Sequence, residues 1–225
     1  EYLAMYPGLP EEQKHLYGAI TAMDEQIGRL REFLKLKGIA ENTIVFFCSD
    51  NGPDGDLTNR GIASAGPYKG NKHQMWEGGI RVPSLIEWPG HINEGTVCSV
   101  PLGTVDYLPT ILDALDLPPF TENPVDGISM LPALRGEEIE RDVPLAFGFQ
   151  RLYKGIEIYA LIRGDYKICI PEAGKEMMLF DLVNDPGEDI DLSDEMPQLK
   201  KEMQMKLEEI KQSWKNSREG ADYIW

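Results

Sequence analysis

The stretch Thr43-Ile44-Val45-Phe46-Phe47-Cys48-Ser49-Asp50-Asn51-Gly52 decides the fold class of this chain. Its first part is an apolar run rich in β-branched and aromatic residues, as expected of a strand buried on both faces. Asp50 and Asn51 follow directly, at the carboxyl end of the strand, where parallel sheets gather their ligands. The stretch therefore predicts an α/β fold with a binding site at the end of this strand.

The flanking sequence predicts helices and a second strand around this run. Apolar residues recur at steps of three and four from Glu11 to Lys37, and Gly38 supplies a stop for this helix. A strand at Ser84–Trp88 and a helix from Asp106 to Leu115 follow. Helices that alternate with strands are typical of doubly wound sheets. We expect residues 1–150 to form part of a doubly wound, mainly parallel sheet with its helices.

The pattern changes after about residue 150. Short strands are predicted at Ile156–Arg163, Tyr166–Ile170 and Met177–Asp181, separated by turns, which favours an antiparallel sheet. The last helix, from Pro197 to Trp214, has one apolar stripe that suits packing against a sheet. We expect residues 151–225 to form a small C-terminal antiparallel sheet packed with this terminal helix.

Composition restricts the classes of partner. The 225 residues include 38 acidic and 22 basic side chains, which gives a net charge of -16. This charge argues against nucleic acid, because phosphate contacts need an excess of Lys and Arg. No apolar run approaches the roughly 18 residues of a membrane span. Three cysteines are too few for a disulfide framework, although one pair stays open.

Two residues are candidate metal ligands. Asp50 and Asn51 offer a carboxylate and an amide oxygen, which are hard donors suited to calcium or magnesium rather than zinc. The alternative is an Asx turn that closes the strand. An EF-hand loop that begins at Asp54 is excluded, because Asn59 stands where that loop needs glycine and Ala65 where it needs glutamate.

The candidate cation for an anionic ligand is Lys72. It lies in the long segment 52–79, which shows no apolar periodicity and is predicted to be a functional loop. Together with a bound cation, Lys72 would make a pocket for sulfate or phosphate; the alternative is a solvated loop charge. Glu77 and Arg81 are expected to form a structural ion pair that pins the Gly78-Gly79 turn.

Four motifs together resemble the C-terminal part of the type I, formylglycine-dependent sulfatases of the alkaline phosphatase superfamily. They are Ser49-Asp50-Asn51-Gly52, Gly70-Asn71-Lys72, Trp76-Glu77-Gly78-Gly79-Ile80-Arg81-Val82-Pro83 and Trp88-Pro89-Gly90. Weaker matches in the same order extend the resemblance over nearly the whole chain. It implies that residues 1–150 are the distal part of the sulfatase α/β domain.

The resemblance also implies roles for the candidate residues. Asp50 and Asn51 would be two calcium ligands, and Lys72 would bind the sulfate ester and stabilise charge during transfer. Lys69 would be a helper. The implied substrate is a sulfated sugar or an aryl sulfate ester, and the implied location is periplasmic, secreted or lysosome-like.

One part of the family pattern is absent from these 225 residues. Sulfatases use a Cys/Ser-x-Pro-x-Arg motif, converted to formylglycine, together with upstream Asp, Lys and His residues. The nearest match, Cys169-Ile170-Pro171-Glu172-Ala173, lacks the arginine, and Cys169 is rejected as nucleophile. We expect this chain to be the distal portion of a longer sulfatase with formylglycine in its N-terminal part, and to be inactive alone.

Two other functions stay open. The first is a non-catalytic anion-binding or interaction module that kept the fold and lost the reaction. The second is a phosphatase or phosphodiesterase of the same superfamily, because sulfate and phosphate esters share tetrahedral geometry and charge. We also expect exposed strand edges to favour a homo-oligomer.

Overall fold

The computed structural model describes residues 1–118, 125–151 and 155–221, and these form a mixed α/β structure. The helices are α1 (Glu11–Leu36), α2 (Gly55–Asn59), α3 (Glu77–Ile80), α4 (Tyr107–Ala114), α5 (Leu131–Leu134) and α6 (Pro197–Arg218). The strands are β1 (Val45–Cys48), β2 (Ser84–Glu87), β3 (Leu145–Arg151), β4 (Ile156–Arg163), β5 (Tyr166–Cys169) and β6 (Met178–Asp181). Within these ranges, no helix combines the length and the apolar character needed to cross a membrane.

Helix α1 forms where the periodicity predicts it, but much of its apolar face is uncovered. The helix ends before Gly38, which adopts the left-handed backbone conformation expected of a helix stop. Ile20 is 49% exposed and Leu36 is 80% exposed. Apolar side chains on a helix normally pack against another element, so this face lacks a full cover among the described residues.

The first two strands differ from the expected parallel pairing. Strand β1 pairs with β2 in the antiparallel direction, with Val45 opposite Glu87 and Cys48 opposite Ser84. Strand β1 is also only half-buried, whereas its apolar run predicts burial on both faces. It has one strand neighbour in the described structure, and its Phe46 ring stacks on Tyr107 of α4 at 4.4 Å.

The segment 52–79 contains two short helices, which corrects the prediction of a long loop without elements. Helix α2 forms because the Asp54 carboxylate caps it, accepting hydrogen bonds from the backbone N–H groups of Asp56 and Leu57. Asp54 therefore acts as a cap rather than as the first ligand of a calcium loop. Helix α3 carries Glu77, Gly78 and Gly79, and all three are buried.

The C-terminal antiparallel sheet and its terminal helix are confirmed. The strand order is β3-β4-β5-β6, and each neighbouring pair is antiparallel. Strand β3 begins at Leu145, so the sheet includes residues that the predicted division at residue 150 assigns to the first part of the chain. The division into domains at residues 1–150 and 151–225 stays a prediction.

This sheet is covered on both faces. Helix α6 packs on one face, where the buried residues are Tyr159, Leu161, Ile168, Leu179, Met203 and Leu207. The other face packs against the segment around Met75, with Ile158, Ala160, Cys169 and Phe180 as its buried residues. The alternation of side chains along β4 and β5 produces these two faces. The second face is the one that meets the predicted functional segment.

A buried ion pair fixes the start of α4. The Asp106 carboxylate is fully buried and lies 2.8 Å from Nη1 of Arg141. It also accepts hydrogen bonds from the backbone N–H groups of Gly103 and Ile128. Because a buried carboxylate needs such partners, this arrangement joins α4 to the chain before β3.

Candidate functional site

The candidate ligand pair lies where β1 ends. Ser49 Oγ donates a hydrogen bond to the carbonyl oxygen of Asn51, and Asn51 Nδ2 donates one to the carbonyl oxygen of Gly52. Asp50 is exposed. Within the described residues, no group donates to the side-chain oxygens of Asp50 or Asn51. The Asx turn that we considered as an alternative is therefore not formed here.

The uncommitted oxygens of this loop suit a hard cation. A carboxylate and an amide oxygen are ligands that calcium prefers, and calcium takes about six to eight oxygens. Asp50 and Asn51 supply two of these. Among residues 1–118, 125–151 and 155–221, no three His, Cys, Asp or Glu side chains form a group that could hold a metal ion. The donor chemistry thus fits calcium but accounts for only part of a complete shell.

The loop of residues 49–53 carries the candidate ligands Asp50 and Asn51, and we call it the ligand loop. It packs directly on the backbone of α3. The Gly52 N–H donates a 2.9 Å hydrogen bond to the carbonyl oxygen of Gly79. A Cβ atom at Gly52 would lie 1.8 Å from the carbonyl oxygen of Gly78, which is far inside any allowed contact. Glycine is therefore required at Gly52 by close backbone approach. This contact fixes the loop of Asp50 and Asn51 against α3.

Lys72 lies beside the same loop. Its backbone N–H donates a 2.8 Å hydrogen bond to the carbonyl oxygen of Pro53, two residues after Asn51. The Lys72 side chain is half-buried, and no hydrogen bond or ion pair engages its ammonium group within the described residues. The neighbouring cations are committed, since Lys69 lies 2.6 Å from the carboxylate of Asp189. Lys72 is therefore the cation of this segment that is left to meet a ligand.

The segment that carries Lys72 is anchored to the C-terminal sheet. The Met75 N–H donates a 2.7 Å hydrogen bond to the carbonyl oxygen of Pro171, and Gln74 Nε2 donates one to the Glu172 carboxylate. Gln74 Oε1 also accepts from the Asn71 N–H. These bonds hold both the backbone and the side chains of the segment, so the position of Lys72 depends on the C-terminal sheet.

A buried charge cluster lies beneath α3, and we define it by Lys167, Glu77 and Glu188. Lys167 Nζ is 2.9 Å from Glu77 Oε1 and 2.8 Å from Glu188 Oε1, the second contact being an ion pair without hydrogen-bond geometry. All three side chains are at most 4% exposed. Burial opposes the charge of Lys167, but the two carboxylates outweigh it and raise its pKa. Burial also raises the pKa of Glu188, and Lys167 counteracts this effect.

Sequence reasoning found only part of this cluster. The predicted Glu77–Arg81 ion pair is present at 3.6 Å, but Lys167 is the closer partner of Glu77. Lys167 lies far from Glu77 along the chain, and nothing in its local sequence identifies that partner. The available signal was its alternation with Ile168 and Cys169 in a strand, which places a lysine at a position expected to be buried.

The three cysteines are all free, so the disulfide that stayed open in the sequence is not formed. Cys169 lies on the buried face of β5, and burial raises its pKa to about 12. A thiol in this state is a poor nucleophile, because the thiolate is the reactive form. This supports the rejection of Cys169 as a catalytic residue. Cys48 is half-buried and Cys98 is exposed.

Comparison with known families identifies the chain. Residues 12–117 match the family model described as sulfatase. Residues 69–213 match the model described as N-sulphoglucosamine sulphohydrolase, C-terminal. The chain belongs to the sulfatase family. It is therefore a member of the alkaline phosphatase superfamily, as the resemblance implied.

Individual sulfatases and related structures agree with this assignment. The chain is 35% identical over 167 residues to N-acetylgalactosamine-6-sulfatase from Homo sapiens, which covers 73% of this chain and 30% of that protein. The crystal structure of Ps i-CgsB matches with a TM-score of 0.82 and 30% identity, over 98% of this chain and 49% of that one. BT4656 in complex with its substrate D-glucosamine-2-N,6-O-disulfate matches with a TM-score of 0.69 and 26% identity, over 92% of this chain and 42% of that one. The chain thus spans between 30% and 49% of the length of these three proteins.

The close contact at Gly52 predicts the effect of adding one methyl group. We expect Gly52→Ala to lower the free energy of unfolding by about 1–3 kcal/mol, because the new Cβ must displace the backbone of Gly78. Urea denaturation measures this change. Gly28→Ala is the control, since a Cβ at Gly28 of α1 meets no atom within 4 Å and should stabilise the helix by about 0.5–1 kcal/mol. Equal effects of the two substitutions would contradict the packing described for Gly52.

The raised pKa of Cys169 predicts selective alkylation. At pH 8 a thiol with a pKa of about 12 is ionised in only about one molecule in ten thousand. We expect iodoacetamide to modify exposed Cys98 in the native protein and to leave Cys169 unmodified, as measured by mass spectrometry of peptides. In urea all three cysteines should react. Modification of native Cys169 as fast as Cys98 would show that its thiol is accessible and ionised.

Proposed function

We propose that this chain supplies the calcium- and sulfate-binding part of an enzyme that hydrolyses sulfate monoesters. The observation that carries this proposal is the backbone bond between Lys72 and Pro53. It holds the backbone of Lys72, a residue whose ammonium group is uncommitted, beside the loop that carries the uncommitted oxygens of Asp50 and Asn51. Membership of the sulfatase family supports the reaction class. The chain spans only part of the length of its relatives, so hydrolysis of sulfate esters is proposed for the whole protein.

The residues would act by electrostatic stabilisation. The oxygens of Asp50 and Asn51 would hold calcium, which when bound supplies positive charge next to the sulfuryl oxygens. The Lys72 ammonium would donate hydrogen bonds to the same group from the neighbouring segment. Backbone hydrogen bonds fix the main chain at both places, from Lys72 to Pro53 and from Gly52 to Gly79, which would limit the reorganisation needed as charge develops during transfer. Lys69 would help indirectly, because its contacts with Glu188 and Asp189 hold the segment in place.

This chain by itself is proposed to bind without turnover. Its 225 residues contain no Cys/Ser-x-Pro-x-Arg motif that could give formylglycine. Cys169, the one cysteine with a proline two residues later, is buried in the C-terminal sheet. Without a covalent nucleophile, the path that divides hydrolysis into two easier steps is missing. Formylglycine would belong to a segment outside the 225 residues.

A sulfated sugar is the favoured substrate class over a simple aryl sulfate. The relative from Homo sapiens is named for a 6-sulfated N-acetylgalactosamine, and BT4656 was solved with a sulfated glucosamine. Ps i-CgsB was solved with the oligosaccharide k-i-k-neocarrahexaose. These properties belong to those proteins and support only the class for this chain. The periplasmic, secreted or lysosome-like location stays a prediction from family resemblance.

Substitution of Lys72 tests this function in the full natural protein. We expect Lys72→Ala to lower kcat for 4-nitrocatechol sulfate by about a hundredfold or more, because one preorganised charge is lost from the transition state. Lys175→Ala is the control and should leave kcat unchanged, since Lys175 is an exposed lysine in a turn of the C-terminal part. Steady-state kinetics and circular dichroism of both variants provide the measurement.

The other functions predict different outcomes in the same assays. A phosphatase or phosphodiesterase would have a larger kcat/KM for aryl phosphate esters than for aryl sulfates. A non-catalytic module would bind inorganic sulfate in calorimetry and turn over neither ester. Hydrolysis of an aryl sulfate by the purified 225-residue chain would show that the proposed dependence on an outside nucleophile is wrong.

We also propose that this chain forms homo-oligomers through its uncovered apolar surface. Leu36 on α1 is 80% exposed and Leu85 on β2 is 69% exposed, and β2 has an unpaired edge in the described structure. We expect sedimentation velocity at micromolar concentration to give a mass above that of the monomer, and Leu36→Lys with Leu85→Lys to reduce it. Glu32→Lys is a control for added charge on α1. A monomer at every concentration would refute the proposal.

A further inference from the structure

We propose that Lys167 and Glu188 are positioning residues for the loop that carries Asp50 and Asn51. The two residues belong to the C-terminal part of the chain, whereas the loop follows β1. This inference rests on the proposed function only in taking Asp50 and Asn51 as metal ligands. The structural link itself rests on three successive contacts among described residues.

The first contact places a cation under α3. Lys167 lies opposite Phe180 in the β5–β6 pair, on the sheet face that meets Met75. Its ammonium group is fully buried and contacts both Glu77 and Glu188. A buried ammonium is strongly unfavourable without such partners, so the two carboxylates must stay near it. This requirement fixes Glu77, the first residue of α3, relative to the C-terminal sheet.

The second contact runs through the backbone. Glu188 Oε2 accepts a 2.6 Å hydrogen bond from the N–H of Glu77, and the Glu188 carbonyl oxygen accepts one from Lys69 Nζ at 2.8 Å. Glu188 therefore holds both ends of residues 69–77, the part of the chain that contains Lys72. The backbone of Glu188 has a φ of 56°, in the left-handed region. The chain therefore turns sharply at Glu188, beneath α3.

The third contact passes from α3 to the ligand loop. Gly79 O accepts the hydrogen bond of Gly52 N–H, and the backbone of Gly78 fills the space where a Gly52 side chain would lie. Because no free volume separates these backbones, a displacement of α3 has to be transmitted to Gly52. Asn51 and Asp50 directly precede Gly52, so their oxygens move with it.

Charge balance explains why the cluster is sensitive to loss of one member. The cluster of Lys167, Glu77 and Glu188 has one positive and two negative charges, and the nearby Arg81 makes the four residues together neutral. Arg81 is about half-exposed and contacts Glu77 only at 3.6 Å. Without Lys167, two buried carboxylates would face each other with one weak counter-charge, and their repulsion would displace Glu77.

Hydrogen exchange in the full natural protein tests the link directly. The variant Lys167→Met with Glu188→Leu removes one charge of each sign and replaces them by apolar groups, which preserves burial. We expect the amides of residues 49–57 to exchange at least about tenfold faster, while β4 and β5 keep their protection. We expect faster exchange of residues 49–57 in Glu188→Leu alone as well, where Lys167 is still paired to Glu77. Glu188→Gln restores an acceptor for the Glu77 N–H and should restore much of the protection.

Kinetics give an independent readout. We expect kcat per folded molecule to fall about ten- to a hundredfold in the double variant, with KM for the aryl sulfate changed less than about threefold, because positioning rather than binding is lost. The control for lost stability is Leu207→Ala, which truncates a fully buried side chain of α6 on the opposite face of the C-terminal sheet. It should lower stability and leave both kcat and the exchange of residues 49–57 unchanged.

The exchange and kinetic measurements test the positioning role and the proposed function separately. Unchanged exchange of residues 49–57 in both Lys167→Met with Glu188→Leu and Glu188→Leu alone would overturn the positioning role. An equal increase in the Leu207→Ala control would do so as well, because general destabilisation would then explain it. Absence of sulfate ester hydrolysis by the wild-type protein would overturn the proposed function, while the exchange measurements would still decide the positioning role.

Discussion

The ammonium group of Lys167 is the constraint on which the arrangement of this site depends. It is fully buried, and its carboxylate partners come from α3 and from the chain after β6. A charge removed from water tolerates little loss of its partners, so three distant parts of the sequence must meet at one point. Hydrophobic packing joins the same parts through Met75 and Phe180, but it lacks direction. The ion cluster adds the geometric requirement that fixes α3.

Backbone contacts then carry this order to the ligand loop. Hydrogen bonds between main-chain groups need exact placement, and glycines at Gly52, Gly78 and Gly79 allow the chains to approach closely enough to form them. The result is a loop whose conformation is set by a neighbouring helix rather than by its own side chains. This leaves the oxygens of Asp50 and Asn51 uncommitted. A site for a hard cation needs such oxygens, because ligands that are already hydrogen-bonded would have to be released first.

Local patterns predicted the elements of this fold better than their partners. Helix α1 and strand β4 lie where their periodicities place them, since each pattern needs only neighbouring residues. The antiparallel pairing of β1 with β2 was missed, because an apolar run indicates burial and carries no direction. Asp50, Asn51 and Lys72 could be selected because they lie in short motifs. Lys167 and Glu188 could not, because their roles arise only when distant segments fold together.

The distribution of charge would give the proposed cation site a second role. The chain carries a net charge of -16, but charges farther than about 8–10 Å are largely screened at physiological salt. Binding of an anion is therefore decided by the nearest groups. Lys69 and Arg81 are offset by Asp189 and Glu77, which leaves Lys72 as the uncompensated cation of this segment among the described residues. The adjacent carboxylate of Asp50 would repel sulfate unless a cation covered it. A divalent ion on Asp50 would reverse that sign, so recognition of the sulfate group and occupancy of the cation site would be coupled.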